Sequence, residues 1–159
     1  MKTAVVFYTL DGNCALVAQE IKSQLNADSI RLYTKDEKKR GRIGKFFWGG
    51  GMVFSRKKPP LKPYSFDASA YDLIIIGAPV WAGSPAPPVE TFLCETSLKG
   101  KKIALFVCHG GGKGGALEKL KALLAGNEIA AETDFKNFAT DKSEETRERL
   151  ADWIKGLKG

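Results

Sequence analysis

Three short stretches concentrate the residue types from which a binding site could be built. Thr9-Leu10-Asp11-Gly12-Asn13-Cys14 places the polar side chains of Thr9 and Asn13, a carboxylate, a glycine and a thiol at the start of a helical pattern. The unpaired N–H groups and the dipole at a helix start suit a phosphate. Gly77 to Pro88 puts Trp81 on a stretch stiffened by Pro79, Pro85, Pro87 and Pro88. A rigid, exposed indole there would be a stacking surface for a planar ring. Cys108-His109-Gly110-Gly111-Gly112-Lys113-Gly114-Gly115 has almost no side chains, so a flat ligand could lie against its backbone and bond to its amides.

The elements that must position these stretches follow from the apolar patterning. Short continuous apolar runs rich in strand formers, Thr3 to Tyr8, Asp72 to Ala78 and Lys102 to Cys108, read as strands buried on both faces, with Ser29 to Tyr33 and Ile129 to Phe138 as two more. Between them, helical spacing is expected over Cys14 to Leu25, capped by Asn13, and over Pro88 to Thr96, Ala116 to Leu124 and Ser143 to Leu157. Strands alternating with helices demand a mostly parallel, doubly wound α/β sheet whose ligands bind beyond the carboxyl ends of the strands. The three unusual stretches follow strands one, three and four. In the order 2-1-3-4-5 those strands are neighbours, so their loops would converge. A phosphate at one end of such a site and a flat heterocycle at the other describe a mononucleotide such as FMN.

The 159 residues, 43% hydrophobic and 27% charged, fit one soluble domain and argue against disorder or a fibrous repeat. The most apolar stretch, Leu73 to Gly83, is about half as long as a membrane-spanning helix, and Met1-Lys2 leads directly into a strand. Cys14, Cys94 and Cys108 match no zinc or CxxC spacing; a reducing, cytoplasmic setting is expected. The net charge of +7 is local, because Lys35 to Lys62 holds ten basic residues against Asp36 and Glu37, while the remainder is close to neutral. This segment also carries Phe46, Phe47, Trp48, Met52 and Phe54. It reads as a solvated cover over a sheet edge, or as a docking face for an acidic partner. No nucleic-acid recognition module accompanies it.

Together these residues resemble the flavodoxin-like family over nearly the whole chain. The resemblance implies a three-layer sandwich, residues 1–159 forming one domain around a five-stranded parallel sheet of order 2-1-3-4-5. Thr9-Leu10-Asp11-Gly12-Asn13-Cys14 looks like that family's phosphate loop, usually Ser/Thr-x-Thr-Gly-Asn-Thr. By the resemblance Thr9, Gly12, Asn13 and Cys14 hold phosphate, Pro79-Val80-Trp81-Ala82-Gly83 flank the isoalloxazine, and Cys108, His109, Gly110 and Gly111 face its pyrimidine edge. Asp11 and Cys14 depart from the pattern. A carboxylate about 4 Å from a phosphate is repelled by roughly 1 kcal/mol per charge pair in water, so Asp11 must turn away or weaken binding. The helix N-terminus is expected to depress the pKa of Cys14.

Other readings are weaker. Gly110-x-Gly112-x-x-Gly115, with Asp134 further on, formally matches a dinucleotide fingerprint but follows the fourth strand instead of the first. The triphosphate-binding lysine loop fails, because Val107 stands where it needs glycine. His109, the one histidine, shows no acidic partner in the sequence and is expected to be an incidental loop residue; Cys94 is expected to be packing. The expected function is FMN-dependent electron transfer between redox partners with acidic docking faces. Trp81 and a water-poor site would lower the flavin potential, and Lys113 would oppose that. An FMN-dependent quinone reductase using a nicotinamide donor, or a flavin-free binding module of the same shape, are the alternatives.

Overall fold

The computed structural model describes residues 1–35 and 58–159. Five parallel strands, β1 (Thr3–Phe7), β2 (Asp28–Arg31), β3 (Leu73–Trp81), β5 (Lys102–His109) and β6 (Glu128–Lys136), form a sheet of order β2-β1-β3-β5-β6. This is the expected 2-1-3-4-5 path. A two-residue strand β4 (Ser84–Pro85) pairs antiparallel with the end of β3. Among the described residues four α-helices cover the sheet: α1 (Asn13–Leu25), α2 (Pro87–Thr96), α3 (Ala116–Leu123) and α4 (Glu144–Gly156).

The alternation along the central strands explains the two helical layers. Ile74, Ile76, Ile103, Leu105 and Val107 point to one face, where they meet Val89 and Phe92 of α2 and Leu117 and Leu120 of α3. Leu73, Ile75, Ala104 and Phe106 point to the other, against Val17 and Ile21 of α1 and Leu150 and Ile154 of α4. Both faces are therefore covered, which is why these strands read as unbroken apolar runs instead of alternating ones.

One glycine in the sheet is required by packing. Gly77 pairs with Phe7 on one side and Phe106 on the other, and a Cβ built at position 77 would lie 2.0 Å from Cζ of the Phe106 ring. The aromatic occupies the space that any other residue would need. β3 and β5 thus close tightly at the point where the loops of the candidate site begin.

The register of the last pair carries a bulge. Ile103 stands opposite Ile129, but Ala104 stands opposite Ala131, so one extra residue enters β6. A one-residue shift exchanges the faces of a strand. Beyond the bulge Val107 pairs with Asp134 and His109 with Lys136, which brings Asp134 onto the face of the sheet that His109 occupies.

The basic segment lies between β2 and β3. Most of it, including Phe46, Phe47, Trp48, Met52, Phe54 and seven of its ten cations, is outside the described residues. Its two ends are joined: Thr34 bridges antiparallel to Leu61, Lys35 N–H donates to the Pro60 carbonyl at 3.0 Å, and Lys62 N–H to that of Tyr33 at 2.7 Å. The returning chain is held on α2 by Thr91, whose hydroxyl donates to the Pro59 carbonyl at 2.8 Å, and by Tyr64, whose hydroxyl donates to Glu95 at 2.7 Å.

Candidate functional site

The loops after β1, β3 and β5 meet in one cavity of about 90 Å³, at the carboxyl ends of the three central strands. Its lining takes Thr9, Leu10, Asp11, Asn13 and Cys14 from the first loop, Pro79, Val80 and Trp81 from the second, and Cys108, His109 and Gly110 from the third. Gly12, Ala82, Gly83 and Gly111, also expected at the site, belong to the same loops without lining this cavity. Pockets that enclose a drug-sized ligand have about 300–1,000 Å³. This one could enclose one end of a mononucleotide, with the rest lying against the surrounding surface.

The first loop is built around Gly12. Its φ of +91° is a left-handed conformation that glycine adopts freely, and it forms the N-cap of α1 without a side-chain cap. Thr9, almost fully buried, accepts a hydrogen bond from Gly12 N–H at 3.0 Å and so braces the turn. The expectation that Asn13 caps the helix is corrected. Asn13 is the first helical residue, and its Oδ1 instead accepts from Ala139 N–H at 2.8 Å, tying the loop to the segment after β6. Asp11 is exposed at the rim; its carboxylate remains in water.

Cys14 is wholly buried, with Cys108 close beside it. Burial raises its pKa well above the ordinary thiol value, and interaction with the Cys108 side chain raises it further. The expected depression is overturned, because loss of hydration outweighs the helix N-terminus. Cys14 is held as a neutral thiol. Cys94, expected to be packing, is exposed, and Lys58 Nζ approaches its sulfur at 3.0 Å.

The second loop differs from the exposed, proline-stiffened stretch that was expected. β3 runs through Pro79 to Trp81, and Ala82 and Gly83, with φ of +49° and +73°, make a two-residue hairpin turn into β4. Positive φ at both central residues is the pattern whose twist suits adjoining strands. Trp81 is half-buried, packed against Tyr8 with ring centroids 5.7 Å apart and planes at 84°. One part of its surface serves the core and another faces the cavity.

The third loop contacts the second directly. Gly114 has φ of +50°, and a Cβ there would stand 2.7 Å from Cα of Gly83. This glycine permits the close approach of two loop backbones. At the start of the same loop His109 does have an acidic partner. Nε2 lies 2.8 Å from Oδ2 of Asp134, and Lys113 Nζ lies 3.3 Å from the other carboxylate oxygen. Burial pushes the Asp134 pKa up, but hydrogen bonds from His109 and Lys113 outweigh it and the carboxyl titrates below its ordinary value. Asp134, weighed in sequence only as a distant ribose ligand, is committed to this pair. Arg149 of α4 donates to the Asp134 carbonyl and stacks over Phe135.

Three-dimensional comparison finds close likenesses across whole chains. A flavoprotein of Lactobacillus acidophilus in complex with FMN is 20% identical, with 96% of this chain and 97% of that one covered at a TM-score of 0.74. A two-electron reduced flavodoxin of Megasphaera elsdenii, also 20% identical, covers 96% and 98% at 0.59. An oxidised flavodoxin of Bacillus cereus, 18% identical, covers 99% and 98% at 0.61. This chain has the flavodoxin fold. No protein-family model matches the sequence, and comparison with curated proteins finds no match. The flavodoxin fold is thus carried on a sequence far from those of the matched structures, with a bulge-set His109–Asp134 pair at one wall of the cavity. Among the described residues no helix is long and apolar enough to cross a membrane.

Proposed function

We propose that the chain binds FMN and carries electrons between redox partner proteins. The observation that supports this most directly is the convergence of the three loops on one cavity beside the uncapped start of α1. A helix start without a side-chain cap leaves its first amides for an anionic ligand. In this reading Thr9, Gly12, Asn13 and Cys14 hold the phosphate end. Pro79 to Gly83, with Trp81 foremost, flank the ring, and Cys108 to Gly111 meet its polar edge.

When bound, FMN supplies reversible one- and two-electron chemistry. The chain's own residues bind and orient. Thr9 fixes the turn whose amides would meet phosphate, Tyr8 meets Trp81 edge-on, and the Gly83–Gly114 contact fixes the second loop to the third. Partner choice is assigned to the basic region. Lys35, Lys58 and Lys62 flank the junction of the segment's ends, and exposed Tyr33 lies between Arg31 and Lys62, at 4.8 and 5.9 Å from its ring. Such a surface favours partners with acidic faces. The three free thiols suit a cytoplasmic, reducing setting.

The test is the visible absorption spectrum of the purified chain before and after titration with FMN, with FAD and riboflavin as comparisons. Flavin bands and tight FMN-selective binding are expected. A folded protein that leaves FMN free in solution would overturn the reading and favour a flavin-free module. Steady reduction of a quinone by NADH or NADPH with no partner protein would favour the reductase instead.

A further inference from the structure

The chain that returns to the fold at Lys58 is fastened to α2 beside a cysteine. Pro59 is buried, and its carbonyl accepts from the hydroxyl of the buried Thr91 at 2.8 Å. Thr91, Cys94 and Glu95 are three and four residues apart and so share one face of α2. The Thr91 bond therefore sets Lys58, the residue before Pro59, next to Cys94, with Nζ 3.0 Å from Sγ. The acidic residues on the same helix are engaged: Glu90 pairs with Lys119 at 3.0 Å, and Glu95 accepts from the Tyr64 hydroxyl at 2.7 Å.

Both atoms of this contact can take part in covalent chemistry. Lys58 and Cys94 are exposed, whereas Cys14 and Cys108 are buried. Oxidation of a thiol follows its thiolate character and its access to solvent, so a dissolved oxidant meets Cys94 first. The product, a sulfenic acid, is electrophilic at sulfur and condenses with a nearby thiol or nitrogen. The other two thiols are shut in the core, and the nitrogen of Lys58 is already at 3.0 Å. Reacting atoms held roughly 3–3.5 Å apart are in a near-attack arrangement.

We propose that Lys58 and Cys94 form a paired modification site, which a peroxide converts into a covalent sulfur–nitrogen link between the returning chain and α2. In the first step the O–O bond of the peroxide breaks, one oxygen goes to Sγ as a hydroxyl and water leaves; the sulfur is oxidised by two electrons and the peroxide reduced by two. In the second the Lys58 ammonium gives one proton to solvent and Nζ attacks Sγ. The S–N bond forms, the S–O bond breaks, and the hydroxyl leaves as water with a second amine hydrogen. Two equivalents of a thiol reductant reverse the link, restoring thiol and amine and becoming a disulfide themselves. The link replaces an ammonium by an uncharged nitrogen, which takes one cation from those flanking the junction of the basic segment's ends. It requires no flavin and stands apart from the FMN reading.

The test is exposure of the full native chain, at low protein concentration, to dilute hydrogen peroxide, then alkylation of the remaining thiols under denaturing conditions and mass spectrometry of the intact chain and its peptides. Wild type is expected to lose two hydrogens and one alkylatable thiol, with the peptides carrying Lys58 and Cys94 joined; a thiol reductant should restore both residues. Cys94→Ser should form no link. Lys58→Arg keeps the charge but offers no nucleophilic amine, so Cys94 should run on to sulfinic acid with a gain of two oxygens. Thr91→Val, which releases the Pro59 carbonyl, should lower the yield of the link several-fold while Cys94 stays reactive, and wild type in concentrated urea should form none. Sulfinic acid at Cys94 of native wild type without joined peptides, a disulfide between two chains through Cys94, or a yield that survives urea would overturn the inference. Each of these outcomes leaves the FMN titration untouched, so the two readings fail separately.

Discussion

Replacing Gly77 with alanine tests the packing on which the site is built. The added methyl would lie 2.0, 2.4 and 2.6 Å from three atoms of the Phe106 ring. Ordinary van der Waals contact begins near 3.4 Å, so the nearest approach must open by 1.4 Å, the difference between 3.4 and 2.0. Phe106 is fully buried among Val5, Phe7, Ile75 and Phe135, which leaves it no room to retreat. Overpacking a core costs about 1–3 kcal/mol, and the depth of this overlap puts Gly77→Ala at the upper end, about 3 kcal/mol. For a chain of this size that lowers the midpoint of thermal unfolding by roughly 6–12 °C. Urea unfolding followed by circular dichroism measures the loss. Phe106→Leu in the same background should recover part of it, so that the double mutant is more stable than the sum of the single losses predicts. A Gly77→Ala protein within about 0.5 kcal/mol of wild type, or strict additivity with Phe106→Leu, would refute the packing argument.

Three further outcomes follow from the site. Asp11→Thr removes an exposed carboxylate from the rim of the cavity and should tighten FMN binding about fivefold, from roughly 1 kcal/mol of repulsion in water; the gain should shrink with added salt, and equal affinities at low salt would contradict it. Asp141 accepts from Ser143 N–H and the Thr146 hydroxyl at the start of α4, and these bonds lower its pKa from 3.8 to about 2. Because the folded value lies below the unfolded one, its stabilisation is present above pH 3.8 and is lost as pH falls through about 2; Asp141→Ala should therefore lower the melting temperature at pH 6 and much less at pH 2. A thiol reagent should modify Cys94 first in the native protein, with Cys14 and Cys108 reacting on unfolding; rapid labelling of Cys14 would contradict its assignment as a buried neutral thiol.

Much of the architecture was legible because buried parallel strands write themselves as continuous apolar runs. Val5-Val6, Leu73 to Ile76 and Ile103 to Val107 needed no partner to be recognised, and their spacing implied the helices between them. The hairpin at the end of β3 was hidden, since Pro79 and Pro85 speak against strand and Ala82-Gly83 is an uncommon turn pair. Loop convergence could be foreseen from strand order alone. The His109–Asp134 pair could not, because it depends on one inserted residue in β6, and the alternative register would put Phe135 opposite His109. Cys14 was misread for a related reason: a helix start announces itself in sequence, whereas the depth at which it is buried depends on α4 and the segment after β6 packing over it.

The central claim is that the three loops form one FMN site, and backbone NMR of the isotopically labelled chain during an FMN titration tests it most directly. The predicted result is that the amides of Gly12, Asn13 and Cys14, the Trp81 indole, and the amides of His109 and Gly110 shift together and saturate at one flavin per chain. Shifts confined to other surfaces, or a spectrum unchanged at millimolar FMN, would contradict it.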